Sequence, residues 1–266
     1  MRRVEEVTDA AYGDLTVEVG DDFVATAEIH RPPNNFFDLD LIESLASAFG
    51  DLDDDPGCRA IVLCAEGKHF CAGANFGGGN TSSTPEGSPR HLYDAAYDLF
   101  ATKTPVVAAV HGAAIGGGLG LACMPDFRVA APEARFSANF ARLGFHHGFG
   151  LTVTLPALVG QQRALELLYT GRRIGGEEAV EIGLADRLAP ADQIRAVAHE
   201  LAAEIAMSAP LAVRSIRETM RGDLADRIRT ATDREQAEQD RLRETADWTE
   251  GVRAMAERRP PNFTGS

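Results

Sequence analysis

Short apolar runs alternate with turn residues along the first 65 positions, and they predict strands on either side of one helix. Thr16 to Val19 and Phe23 to Ile29 read as two strands joined through Gly20, Asp21 and Asp22, a hairpin turn by composition. Arg31 to Asn35 is a breaker cluster of two prolines and two asparagines. Asp38 is placed to cap a helix whose apolar positions Leu41, Ile42, Leu45, Ala48 and Phe49 recur at helical spacing. That helix is expected to end within residues 51–57, and Ala60 to Cys64 reads as a buried strand. The alternation continues with a helix over residues 91–102, a strand from Val106 to Val110 and a helix opening at Gly117. Strands this apolar, alternating with helices, predict an α/β core with buried parallel strands.

From about residue 161 the chain turns helical and charged. Glu177 to Glu181, Asp192 to Met207, Pro210 to Arg221 and Leu224 to Trp248 all lack strand patterning. Thr230 to Thr245 is nearly all polar, the pattern of a solvated face or of an arm that clasps a partner subunit. The one low-complexity stretch, Gly77 to Pro89, reads as a surface loop or as a mobile lid over a pocket.

Length and charge narrow the picture. A chain of 266 residues buries a core without disulfides or metals. Its 26 basic and 40 acidic residues give a net charge of −14, which disfavours binding to phosphate backbones or anionic membranes. The four cysteines, Cys58, Cys64, Cys71 and Cys123, form no CxxC pair, so reduced, packed thiols are expected rather than a zinc or redox site. Met1 to Glu6 carries basic residues with no apolar stretch behind them, and the longest apolar run, Pro105 to Val110, is far short of a membrane span. A soluble, cytoplasmic protein is expected.

Two glycine-bearing segments follow buried strands, where ligands of α/β sheets tend to sit: Lys68 to Phe76 and His111 to Gly120. Small residues there let a ligand approach the backbone, and two clusters of N–H groups facing one point would make an oxyanion hole. Tight helix packing explains Gly116, Gly117 and Gly118 equally well. The triplet matches neither the dinucleotide fingerprint nor a phosphate-binding loop.

In order, the chain carries Arg31 to Phe37 (RPPNNFF), His69 to Phe76 (HFCAGANF), Thr104 to Gly118 (TPVVAAVHGAAIGGG), Asp126 to Ala130 (DFRVA), Phe136, and Glu250 to Phe263 (EGVRAMAERRPPNF). This succession resembles the crotonase family, the enoyl-CoA hydratase/isomerase superfamily, over about residues 14–264. The resemblance implies an α/β spiral of ββα repeats over residues 1–200, with residues 201–266 forming a helical trimerisation region. It implies a homotrimer or homohexamer, and a coenzyme A thioester as substrate or ligand with no separate cofactor. The Ala74 and Gly117 amides fall where the family holds the thioester oxygen. Ala72, Asn75 and Phe76 fall on the stretch that grips adenine and pantetheine, with Gly116 beside them.

The departures carry as much information. Family hydratases use two carboxylates, because adding water across a conjugated double bond needs a base for water and a proton source for carbon. By resemblance these stand at Gly120 and Phe140, and neither is acidic. Naphthoate synthase and methylmalonyl-CoA decarboxylase carry an acting Asp or Tyr at the position of His147, with His146 beside it, and histidine suits acid–base work near neutral pH. The plainer reading is that both histidines hydrogen-bond within a loop. Family dehalogenases and acyl-CoA hydrolases place an Asp one position later, where this chain has Gly148. Two functions stay open: an enzyme that stabilises an enolate at Ala74 and Gly117 with His147 moving the proton, and a non-catalytic acyl-CoA binding protein. His69 and His111 are expected to pack or cap. Asp126 and Arg128 are expected to form a surface or subunit ion pair. Trp248 is expected to pack, and Cys71 and Cys123 lack a paired base.

Overall fold

The computed structural model describes residues 12–75, 84 and 87–266. Most of the glycine-rich stretch after residue 76, and Phe76 itself, lie outside the described residues. The predicted hairpin is present as β1 (Leu15–Val19) and β2 (Val24–Ile29), antiparallel with Leu15 opposite Ile29. From β2 onward the sheet is parallel. Each of three successive turns sends the chain along a long strand and then into a second, shorter tier. β3 (Ala60–Ala65) is followed by Cys71, β4 (Val106–Val110) by β5 (Ala113–Ile115), and β6 (Phe127–Ala130) by β7 (Arg135–Ser137). β8 (Ile174–Gly175) closes the second tier and β9 (Arg187–Leu188) ends the first, in the orders β1-β2-β3-β4-β6-β9 and β5-β7-β8. This is the spiral of ββα repeats.

The apolar strands are apolar because both faces are covered. Ile61, Leu63, Val106 and Ala108 enter the main core with α1 (Leu39–Asp54) and α2 (Leu92–Phe100). Ala60, Val62, Val107 and Ala109 face the opposite way, into a second apolar cluster. The Asp38 carboxylate accepts from the Leu41 amide at 3.1 Å, capping α1 as expected. Next in sequence come α3 (Gly117–Cys123), a 3₁₀ turn (Asn139–Leu143), α4 (Leu151–Val159), α5 (Gln161–Thr170) and α6 (Gly176–Glu181). α7 (Ile194–Ala206) covers the second cluster, and α8 (Pro210–Arg221), α9 (Leu224–Arg243) and α10 (Ala246–Ala256) complete the chain. Among the described residues no single helix is long and apolar enough to cross a membrane.

Leu224 to Trp248 is helical as expected, with a break where Thr245 takes an extended backbone and its hydroxyl accepts from the Trp248 amide at 3.2 Å, opening α10. Two expectations are corrected. The polar stretch Thr230 to Thr245 is not simply a solvated face, since Thr232, Glu235 and Gln239 point inward and are buried. Asp126 and Arg128 do not form a surface pair. Arg128 is buried and donates to the Pro125 and Leu184 carbonyls at 2.8 Å each, while Asp126 accepts from Arg217 at 3.0 Å and Arg221 at 2.5 Å, both on α8.

That clamp gives α8 an inverted character. Its arginines face the body of the protein, with Arg214 also donating to the Asp53 carbonyl at 2.7 Å, whereas Leu211, Ile216 and Met220 are 82%, 64% and 75% exposed.

Removing one member of a largely buried ion cluster leaves its partners uncompensated. Asp126→Ala should therefore cost about 3 kcal/mol in urea unfolding. A loss under about 1 kcal/mol would mean that water already satisfies Arg217 and Arg221.

Candidate active site

The site begins at a single parallel contact. Cys71 bridges Ala114: the Cys71 amide donates to the Ala113 carbonyl at 2.9 Å, and the Ile115 amide donates to the Cys71 carbonyl at 3.1 Å. Three residues beyond each bridge partner stand Ala74 and Gly117, so the pairing carries both to the same level. Gly73 has φ +85° there, and a Cβ on it would lie 2.5 Å from the Ile115 carbonyl oxygen and 3.8 Å from the Gly117 nitrogen. The two segments touch backbone to backbone, which only glycine at position 73 permits. Gly117 is equally confined, since a Cβ would lie 2.0 Å from the Phe37 ring. No hydrogen bond among the described residues uses the amides of Ala74 or Gly117.

Both residues border a cavity of about 450 Å³, and Ala72, Asn75, Gly116 and Phe140 line it too. The two positions expected to carry carboxylates are filled by aromatic rings. A Cβ on Gly120 would lie 2.8 Å from the Phe149 Cβ, so Phe149 occupies the space a side chain there would need. Phe149 packs against Phe37 and Phe100 with ring centres 5.4 and 6.0 Å apart. Phe140 sits in the wall with its ring 5.4 Å from that of Phe145. Among the described wall residues the ionisable side chains are Tyr93, Arg173 and Arg243, with no carboxylate and no imidazole.

His146 and His147 are not brought to the wall. Their rings stack on each other 4.1 Å apart, and His147 Nε2 lies 2.8 Å from the Thr152 hydroxyl and 3.9 Å from the Glu235 carboxylate. Glu235, fully buried on α9, accepts from the Gly150 amide at 2.9 Å, the Thr152 amide at 3.0 Å and the Thr152 hydroxyl at 2.6 Å. This buried acceptor fixes the turn into α4 and draws the His147 side toward α9. Burial pushes the Glu235 carboxyl up, and burial followed by the His146 charge pushes the His147 imidazole down to about 4.

Gly148, also in the wall, makes room for a polar pair. A Cβ there would lie 2.1 Å from the Tyr93 hydroxyl and 2.5 Å from the Gln239 side-chain nitrogen. The Tyr93 hydroxyl donates to Gln239 Oε1 at 3.2 Å, Arg243 Nη2 donates to the same oxygen at 3.2 Å, and Gln239 Nε2 donates to the His146 carbonyl at 3.1 Å. Burial, with the Glu235 charge adding to it, pushes the Tyr93 phenol above its ordinary value, so it stays protonated. Sequence reasoning missed these residues. A signal existed in the stripe Thr232, Glu235, Gln239 and Arg243, which recurs every three or four positions and marks one helix face.

The remaining candidates have structural partners. His69 Nδ1 accepts from the Ala113 amide at 3.3 Å, and His111 Nε2 lies 3.1 Å from the Gly67 carbonyl. Trp248 is buried with its ring 4.5 Å from that of Phe145. All four cysteines are free and buried, and burial pushes each thiol up, Cys71 to about 12. They are packing residues.

Comparison with known proteins agrees with this architecture. The family model described as enoyl-CoA hydratase/isomerase matches residues 21–266. A protein of Bacillus subtilis (strain 168) named "Probable enoyl-CoA hydratase" is 33% identical over 253 residues, covering 92% of this chain and 96% of its own. The crystal structure of an enoyl-CoA hydratase/isomerase from Pseudoalteromonas atlantica T6c superposes with a TM-score of 0.85 at 29% identity, covering 94% of this chain and 100% of that one. A carnitinyl-CoA dehydratase from Mycobacterium avium 104 superposes with a TM-score of 0.83 at 27% identity, covering 95% and 99%.

The half-buried His147 imidazole sets a pH dependence. Because the folded state holds His147 at about 4 against an ordinary 6.5, the unfolded chain binds the extra proton between those values. Its stabilising contribution is complete above the ordinary value and is lost as pH falls toward the folded one, amounting to about 2 kcal/mol by pH 5. His147→Gln should therefore lose about 2 kcal/mol less than the parent between pH 7 and pH 5 in urea unfolding. Equal pH slopes in the two proteins would contradict a His147 held neutral by its half-buried setting.

Proposed function

The chain belongs to the enoyl-CoA hydratase/isomerase family, and from that premise we propose that its cavity binds an acyl-CoA thioester with the carbonyl oxygen received by the Ala74 and Gly117 amides. The observation that carries this reading is the pair of unengaged backbone donors, brought level by the Cys71–Ala114 bridge at the edge of the cavity. Two such donors stabilise the negative charge that develops on the oxygen when the α-carbon gains enolate character. They are rigid, so no reorganisation is needed as the charge appears. Ala72 and Asn75 line the same cavity.

Conventional hydration is not the chemistry this geometry supports. Phe149 fills the space beside Gly120 and Phe140 is apolar, so the wall offers no carboxylate pair to activate water and protonate carbon. With His147 held by Thr152 on the side of Glu235, the proton-bearing group at the cavity is the Tyr93 hydroxyl. A phenol kept protonated by burial suits donation to an enolate carbon rather than abstraction from it. The absence of carboxylate and imidazole among the described wall residues favours a second reading, an acyl-CoA binding protein without turnover. Product analysis by mass spectrometry after incubation with a panel of acyl-CoAs separates the two.

The same family premise supports a homotrimer or homohexamer. An α8 that spends its arginines on its own chain and leaves Leu211, Ile216 and Met220 outward has an apolar face suited to a second copy.

Crotonyl-CoA hydration should run at or near background, since each missing acid–base group contributes roughly 10²–10⁴-fold. A hydratase-like turnover would contradict the assignment of Phe140 and Phe149. Ala74→Pro removes one donor without removing any hydrogen bond inside the protein. It should weaken acyl-CoA binding roughly tenfold in calorimetry with an unchanged circular dichroism spectrum. Full affinity in a folded variant would count against the oxyanion site. In sedimentation velocity the parent should run as a trimer or hexamer and Ile216→Glu as smaller species, whereas a monomeric parent would overturn the assembly.

A further inference from the structure

Tyr93, Gln239 and Arg243 form one corner of the cavity with an unusual donor balance. Gln239 Oε1 already accepts from both the Tyr93 hydroxyl and Arg243 Nη2, and Gln239 Nε2 is turned to the His146 carbonyl. Arg243 Nη1 donates to Asp240 at 3.0 Å, so two of the five guanidinium N–H groups are engaged. Arg243 Nε is the one side-chain polar atom among the described residues that is buried with no hydrogen-bond partner. The corner thus has surplus donors and a shared, saturated acceptor. Beside the Asp240 pair, the guanidinium carbon lies 5.9 Å from the Phe145 ring centre, and the apolar side chains of Phe140, Val252 and Met255 line the same cavity.

Charge points the same way. In a chain of net charge −14, the charged side chains at the described cavity wall are both cationic, Arg173 and Arg243. Arg173 is exposed, whereas the Arg243 side chain keeps only 24% of its surface. A guanidinium flanked by rings and methyl groups binds a carboxylate more strongly than one in water, and its planar fork matches that group.

Resting on the proposed thioester site, we infer that the acyl group this cavity selects carries a carboxylate, received by the Arg243 guanidinium. The ligand class is a dicarboxylic acid joined to coenzyme A through one end. Its free carboxylate supplies the acceptor that the corner lacks, and the Gln239 oxygen then no longer serves two donors. A straight alkanoyl chain would leave those donors facing hydrocarbon.

The same guanidinium chemistry would also suit a phosphate of coenzyme A, so the test must separate the two anions. Titration calorimetry on the full chain would compare malonyl-, succinyl- and glutaryl-CoA with pentanoyl-CoA and with free coenzyme A. At least one of the dicarboxylic thioesters should bind roughly tenfold or more tighter than pentanoyl-CoA. Arg243→Met should erase that preference, and the ratio within one protein cancels any general weakening by the substitution. Should Arg243→Met misfold, the preference of the parent still decides the matter. Pentanoyl-CoA binding as tightly as all three dicarboxylic thioesters would overturn the inference. So would an Arg243→Met that weakens free coenzyme A in the same proportion as the dicarboxylic thioesters, since the guanidinium would then be reading phosphate. If free coenzyme A binds and no thioester binds better, the thioester site itself fails.

Discussion

The parallel bridge between Cys71 and Ala114 is the contact on which the cavity depends. It is the first rung of the second tier, and it sets the height at which two chain segments leave their strands. Everything the proposed oxyanion site requires follows from that register. Ala74 and Gly117 stand the same distance beyond the bridge, and their segments meet closely enough that Gly73 would meet the Ile115 carbonyl if it carried a Cβ. Gly118 is bound by the same constraint, with a Cβ only 2.1 Å from the Cys71 carbonyl oxygen. The glycines are therefore conditions of backbone approach, which is why the site needs so little side-chain chemistry to exist.

A second constraint shapes what the cavity can do. The buried Glu235 carboxylate ties α9 to the turn entering α4 through three hydrogen bonds. That turn places Phe149 against Gly120, Gly148 against Tyr93, and His147 against Thr152. One anchoring interaction thus sets the turn that fills a carboxylate position with a ring, opens room for a tyrosine hydroxyl, and holds the His147 imidazole on Thr152 behind Phe140. The polar face of α9 serves as internal scaffolding, and the chemical character of the cavity follows from it.

Much of the fold was legible in the sequence because its strands are buried on both faces and so appear as unbroken apolar runs, as at Ala60 to Cys64 and Val106 to Val110. The Asp38 cap was legible for the same kind of local reason. The short strands β5, β7, β8 and β9 are two or three residues long and carry no period to detect. The two segments that meet at the Cys71–Ala114 bridge could be placed from glycines following strands, since close backbone approach depends on local shape. The polar corner could not. Tyr93 comes from α2 and Gln239 and Arg243 from α9, and nothing local records that two helices so distant in sequence pack together. The surroundings of His147 were unreadable for a related reason: its ring meets the nearby Thr152 hydroxyl, but the carboxylate that holds Thr152 lies 88 residues from His147, on α9.

In the proposed site two backbone amides hold one thioester oxygen. A crystal structure of the protein with a bound acyl-CoA tests it most directly. The thioester oxygen is expected at about 2.7–3.1 Å from both the Ala74 and the Gly117 nitrogens. A thioester ordered in the cavity with its oxygen hydrogen-bonded to neither amide would contradict it.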